Sequence, residues 1–392
     1  MSDGGRPRND SIDVLRGLVM VLMVLDHCRD FVHGGFASDP TDLATTNAAL
    51  FATRWITHFC APVFVFLAGT GAFLRGTRTS RGDNARFLLT RGLWLLVLEV
   101  TVVRFGVTFD CHFGFLAFLQ VIWALGVSMI ALSALIWLPP AVVGGFGVAM
   151  VALHNLLDRF AVAGGPPAAG LDSLWFFIHQ QGPVFPFGQG APLVFIAYPL
   201  VPWIGVMAAG YAFGAVYRWA PERRRPFLLG LGGAMIAAFV VLRAGNLYGD
   251  PSSFSQQPTA LFTVLSFVNT TKYPASLQFL FMTLGPAIVL LGLIDGRRVW
   301  QPLVTLGRVP LFFYLLQWPA AHVAGIVIAA AAGASLAPFF ANPLDQVFFS
   351  NRPSGLGMVY VAWAGCILVL YPLCAGFARL KQRRRDWWLS YL

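Results

Sequence analysis

The sequence predicts an all-α integral membrane protein that crosses the bilayer about ten times, with both termini cytoplasmic, and three observations predict it. Charge is scarce: Asp, Glu, Lys and Arg make up 11% of the 392 residues and apolar residues 57%, too little charge to cover a soluble protein of this length. Apolar runs close to the ~20 residues needed to cross a bilayer recur along the chain. The basic residues are divided unevenly between alternate connecting segments. The net charge of +10 is therefore read segment by segment as a topology signal, and not as a mark of nucleic-acid binding.

The first span, 12–33, begins Ile12-Asp13-Val14-Leu15-Arg16-Gly17 and carries no polar side chain from Gly17 to Leu25. Asp26, His27, Arg29 and Asp30 then arrive within five residues, followed by His33. Such an interrupted run without a small-residue cleavage site reads as a permanent span rather than a removable signal. Ionisable groups inside a span are costly and face a cavity, a partner or a substrate path. Arg16 and His27 are eleven residues apart, close to three turns, so they share a helix face at heights about 16 Å apart. Asp26, Asp30 and His33 form their own i, i+4, i+7 row, with Asp30 one turn beyond His27. A charged helix end halted at the headgroups would explain the acids. It would not explain a histidine, or an arginine three turns back.

The other expected spans are 56–74, 87–105, 114–137, 141–157 (the weakest), 193–217, 226–243, 276–294, 304–331 and 357–378, forming one transmembrane domain over 1–392. The N-terminus, the C-terminus and alternate loops hold 17 basic residues, whereas 34–55, 106–113, 158–192, 244–275 and 332–356 hold 4. This bias places both termini in the cytoplasm. The long outer segments 158–192 and 244–275 are rich in Gly, Pro, Gln, Asn and aromatics, as segments that cover a substrate would be.

Orientation then gives each polar residue a side. Arg16 lies at the cytoplasmic end of span 1 and His27 beyond its middle; His58 opens span 2 from outside, and His112 lies in the outer turn before span 4. Glu99, with Arg91 and Arg104 nearby, is expected in a buried ion pair, and His154 as a satisfied interfacial residue. Lys272 is a lysine at the outer entrance to span 8, readable as a snorkelling anchor or as an anion or substrate contact. Arg308, beside Gly307 at the cytoplasmic entrance to span 9, suits a phosphate contact. The arginine triplets 223–225 and 383–385 read as topology anchors. Cysteines 28, 60, 111, 366 and 374 form no CxxC pair, and their spacing to the histidines fits no zinc motif, so no disulfide framework and no metal is expected.

A membrane-embedded histidine flanked by carboxylates is suited to general base catalysis, with an aspartate to fix its tautomer. No GxSxG, HExxH or Walker loop is present, which disfavours serine hydrolase, zincin and P-loop chemistry. An arginine at the cytoplasmic mouth suits a phosphorylated donor. Together these suggest group transfer across the membrane. The competing reading is a proton-coupled transporter with the His/Asp cluster as its relay; no second copy of the span 1 pattern supports it.

The motif Ile12-Asp13-x-Leu15-Arg16-Gly17, with ten residues between Arg16 and His27, is similar to the first helix of the membrane acyltransferase-3 proteins. The stretches His58–Gly69, Gln120–Gly126, Tyr198–Met207, Thr271–Pro274 with Met282–Pro286, and Gly307–Tyr314 resemble bacterial relatives of heparan-α-glucosaminide N-acetyltransferase. The resemblance implies transfer of an acetyl group from cytoplasmic acetyl-CoA to an extracytoplasmic sugar amine or hydroxyl, with His27 as general base or acyl carrier. The expected catalytic residues are His27, Asp30, Asp26 and His58. Arg16 and Arg308 would hold the donor, and Lys272, His112, Trp203 and His322 the acceptor. The expected partners are an acyl-CoA, a glycan-type acceptor and the lipid of the inner cell membrane, with a homo-oligomer allowed and no nucleic acid. One departure stands out: where relatives place a histidine three residues after the span 9 tyrosine, this chain has Gln317.

Overall fold

The computed structural model describes residues 10–34, 39–110, 115–160, 171–185, 193–297, 299–340, 354–384 and 386–392. The chain order is α1 (Asp10–Arg29), α2 (Ala48–Thr57), α3 (Cys60–Gly76), α4 (Arg81–Leu98), α5 (Arg104–Thr108), β1 (Phe115–Leu119), α6 (Val121–Leu135), α7 (Pro140–Leu153) and α8 (Leu171–Ile178). There follow β2 (Gly182–Val184), β3 (Leu193–Ile196), α9 (Leu200–Phe213), α10 (Pro221–Ala244), α11 (Ala260–Val268), α12 (Leu277–Ile294), α13 (Gln301–Gly307), α14 (Pro310–Ala331) and α15 (Leu356–Arg383). The all-α polytopic class is borne out. Seven helical stretches among the described residues are long and apolar enough to cross a membrane. The expected spans 1 and 3 are helical but carry several charges, and α6 has only 15 residues.

α1 is the axis of the bundle. Met20, Val24 and Cys28 are fully buried, and the helix packs against α2, α3, α12, α13, α14 and α15. Its approach to α13 is close because both sides present glycine. A Cβ on Gly17 would lie 2.0 Å from the Leu303 carbonyl oxygen, and one on Gly307 would lie 1.9 Å from that of Asp13. Without a hydrophobic drive between helices in lipid, such small-residue contact is what draws two backbones together. Gly69 and Gly210 do the same for α3 and α9. Polar ties complete the frame: Trp363 Nε1 donates to the Val21 carbonyl at 2.8 Å and Cys60 Sγ to that of Val19 at 3.1 Å.

Several expected spans are broken, each for a local reason. Span 2 is α2 and α3 with a kink at His58-Phe59; Pro62 in the first turn of α3 has no N–H to return to the His58 carbonyl. Span 9 is α13 and α14, parted at Arg308-Val309 by Pro310 at the first position of α14. Spans 1 and 3 each pass into a π-helical turn, Asp30–Gly34 and Glu99–Val103. The first of these re-phases the row expected for Asp26, Asp30 and His33, and His33 Nδ1 instead meets the Ser354 carbonyl at 2.7 Å.

The openings of expected spans 4 and 6 are strand. β1 pairs parallel to β3, and β2 antiparallel to β3, in a three-stranded sheet. Phe-Leu-Ala-Phe-Leu and Leu-Val-Phe-Ile suit a pleated sheet with one buried face, and Ala117, Leu119, Val184, Val194 and Ile196 share a small core with Phe176. α6 can start only after this strand because Glu99 caps it: Gln120 N and Trp123 N donate to its two carboxylate oxygens at 3.1 and 3.0 Å. Glu99 is therefore a helix-capping carboxylate, and among the described residues backbone N–H groups stand in place of the arginine partner expected for it. The segment 244–275, read as loop, contains α11.

Candidate functional site

A cavity of about 720 Å³ opens where α1, α2, α3, α14, the sheet and the 269–273 segment meet. α1 supplies Met23, Asp26, His27 and Arg29, and the π-helical turn after it Asp30. The α2–α3 kink supplies Arg54, Thr57, His58 and Cys60. Phe118 and Phe195 come from β1 and β3, and Tyr314 and Trp318 from α14. Tyr198, Gln120, Lys272 and Tyr273 also line it. The strands that replaced helix are thus what walls one side of the site.

His27 is 7% exposed and stacks on Trp318, ring centres 3.6 Å apart and planes 18° from parallel. His58 is buried with its ring edge-on to Phe279. Nδ1 of each histidine is buried without a hydrogen-bond partner among the described residues. The aspartates are engaged elsewhere. Arg29 Nη2 donates to Asp30 Oδ1 at 2.5 Å and to Asp26 Oδ1 at 3.3 Å, and Arg54 Nη1 pairs with Asp26 Oδ2. Two arginines and two aspartates form a near-neutral cluster that ties α1 to α2 (buried charges persist when each has a partner). The orienting role expected of Asp30 toward His27 has no hydrogen bond among the described residues. Arg29, its chain neighbour, takes the carboxylate, and Trp318 orients the imidazole instead.

The remaining expected site residues divide. Lys272 lines the cavity. Trp203 does not: it is fully buried one layer behind, against Tyr198 at 5.2 Å. His322 is also outside it, with its ring nitrogens at 3.2 and 2.8 Å from the Gly106 and Phe339 carbonyls and its ring between Phe31 and Phe109. His112 lies outside the described residues. Gln317 is fully buried, and neither of its amide atoms has a partner among the described residues. His154, expected at an interface, is buried beside His179, whose Nε2 lies 2.7 Å from Asp158 Oδ1.

Arg54 and Trp318 carry no expectation from the sequence, and Arg29, Tyr198, Tyr273 and Tyr314, though they fall in its motifs, are given no role there. Arg54 had a signal. It is the lone basic residue of a segment otherwise depleted of them, four positions before His58.

Toward the start of α1 lies a second cavity, about 1520 Å³, lined by seven arginines, among them Arg16, Arg75, Arg81 and Arg224, and by three aspartates. Arg16 donates to the Gly307 carbonyl at 3.3 Å and pairs with Asp13 at 3.4 Å. Arg224 holds Asp295 through two nitrogens at 2.8 and 2.9 Å. Arg308 does not line this space. It faces a smaller one with Lys381 and Gln382, pairs with Asp10 at 3.3 Å, and reaches the Arg16 group through Asp13. Among the described residues none lines both large cavities; seven positions of α1, about 10 Å of helix, separate Arg16 from Met23. Among the described residues no three His, Cys, Asp or Glu side chains group as metal ligands.

The arrangement is a histidine-bearing cavity and an arginine-lined cavity at opposite ends of one buried helix. A comparison with curated proteins finds no match to the chain. The family described as heparan-alpha-glucosaminide N-acetyltransferase, catalytic, matches residues 8–242, a range that takes in α1, the α2–α3 kink, the sheet and α9. That match spans more than half of the chain, so the protein belongs to this family of transmembrane N-acetyltransferases.

Proposed function

We propose that the protein transfers an acetyl group from cytoplasmic acetyl-CoA to an extracytoplasmic amine or hydroxyl of a glycan-type acceptor, in the inner cell membrane. The observation that carries this reading is the placement of His27 and Arg16 in two different cavities at the two ends of α1. The basic-residue bias puts the arginine cavity on the cytoplasmic side. Arginines there suit the phosphate and diphosphate groups of CoA, which a guanidinium binds through paired N–H donors. The pantetheine arm would then carry the thioester along α1 toward Met23 and His27.

In the His27 cavity the acceptor's nucleophilic oxygen or nitrogen attacks the thioester carbonyl as His27 takes its proton. The new C–O or C–N bond forms, the C–S bond breaks, and the proton returns to the sulfur, so that CoA leaves as the thiol. Trp318 holds the imidazole in place and offers its ring face to the imidazolium that forms. His58, on the same cavity, is the second candidate base. Replacing His27 by Ala should lower transfer on the order of a hundredfold to ten-thousandfold with acetyl-CoA affinity unchanged. Near-normal transfer in that variant, with its loss in His58→Ala, would give the base role to His58. Arg16→Ala should weaken acetyl-CoA binding by about 1.5–3 kcal/mol. Undiminished affinity would move the phosphate site to other arginines of the same cavity.

A further inference from the structure

The cations of the His27 cavity are not equivalent, and the difference bears on the acceptor, if that cavity is the acceptor site as proposed above. Arg29 and Arg54 are committed to Asp26 and Asp30. Asp39, the remaining acid of the lining, is exposed, and one of its oxygens is taken by the backbone N–H and hydroxyl of Thr41. Lys272 has no carboxylate oxygen within 4.0 Å among the described residues; its ammonium lies 5.2 Å from the centre of the Tyr273 ring. It is hydrogen-bonded to the Tyr273 phenol, and among the described residues no carboxylate neutralises it, unlike Arg29 and Arg54.

The backbone that presents Lys272 is pinned from behind. The Asp250 side chain, 1% exposed, accepts from Thr271 N and Oγ1, both at 2.9 Å, and from Ser276 Oγ at 2.7 Å. Arg243, 1% exposed, donates to the carbonyls of Phe267, Ser266 and Ser252 at 3.0, 2.9 and 2.5 Å, and to that of Asn269. Asn269 Nδ2 in turn donates to the Thr41 carbonyl at 2.9 Å. An anchor that snorkels to headgroups needs no such frame, whereas a binding group held in place loses less entropy when its ligand arrives. Burial opposes ionisation of the Tyr273 phenol, yet the charges of Lys272 and Arg54 hold its pKa below the ordinary tyrosine value, which marks a surplus of positive potential here.

We propose that Lys272 is a specificity residue that binds an anionic group carried by the acceptor, a carboxylate, sulfate or phosphate on a saccharide-sized molecule. The cavity volume of about 720 Å³ accommodates such a ligand beside the histidines. The test is calorimetric titration of the full-length protein in detergent with glucosamine, muramic acid, glucosamine 6-sulfate and glucosamine 6-phosphate. These share an amine and differ in the anion. Wild type should bind at least one anionic sugar about tenfold or more tightly than glucosamine, the value of one charge-assisted contact. Which sugar shows the gain names the anion. Lys272→Met should bring the affinities to within about twofold of one another, and Lys272→Arg should retain the preference. Acetyl-CoA affinity, read at the other cavity, should be the same in all three proteins and reports an intact fold. No preference in wild type, or a preference that survives Lys272→Met, would overturn the proposal. Binding is read without turnover, so absence of acetyl transfer would sink the acyltransferase reading while leaving this site standing.

Discussion

At the scale of single residues, His27 owes its orientation to an indole face and not to a carboxylate. The stack at 3.6 Å on a 1% exposed Trp318 holds the ring, while Asp26 and Asp30 serve the two arginines. Trp318→Leu should therefore cost more transfer than Trp318→Phe, which keeps an aromatic face; equal loss in initial-rate assays would remove the stack from the mechanism. Arg54→Leu should destabilise by about 3–5 kcal/mol, because it leaves a buried Asp26 charge half-matched, and thermal unfolding in detergent reads that directly. His27, His58, Asp26 and Lys272 could be picked out beforehand because an ionisable side chain in or beside a span has few other reasons to be there. Trp318, Tyr314 and Tyr198 could not. Aromatic residues are common in every span, and only the packing shows which of them face the cavity. Trp203 and His322 failed for the same reason in reverse, since burial behind the lining looks identical in one dimension.

At the scale of elements, apolar length located the helices well but was blind to how each one ends. The runs at 115–119 and 193–196 are as apolar as the helices they precede. They become strands because each satisfies the backbone groups of the other, a pairing across more than seventy residues that no local pattern records. The kink at His58 and the parting at Arg308 were more legible, since Pro62 and Pro310 stand in the sequence. The glycine crossing of α1 and α13 yields a sharp expectation. Gly307→Ala places a methyl group where the Asp13 carbonyl lies and should destabilise by about 1–3 kcal/mol through overpacking. Gly233→Ala, on α10 with no atom within 4 Å of the added carbon, should be neutral or slightly stabilising. Similar melting temperatures for the two variants would mean that α1 and α13 are free to separate.

At the scale of the whole molecule, the proposed function rests on two cavities at opposite ends of α1, read as facing opposite sides of a membrane. The orientation is the proposed part, from 17 basic residues on one set of segments against 4 on the other. In a cysteine-free background, Gln256→Cys on intact cells should react with an impermeant maleimide and Glu222→Cys should be protected; the reverse pattern would invert the molecule. The most direct test of transfer across the bilayer uses sealed proteoliposomes loaded with an amino-sugar acceptor, with labelled acetyl-CoA added outside. Labelled acceptor should accumulate within the sealed vesicles containing wild-type protein and remain at background with His27→Ala. Transfer that proceeds only when acetyl-CoA and acceptor share a compartment, or that persists undiminished in His27→Ala, would contradict the two-sided mechanism.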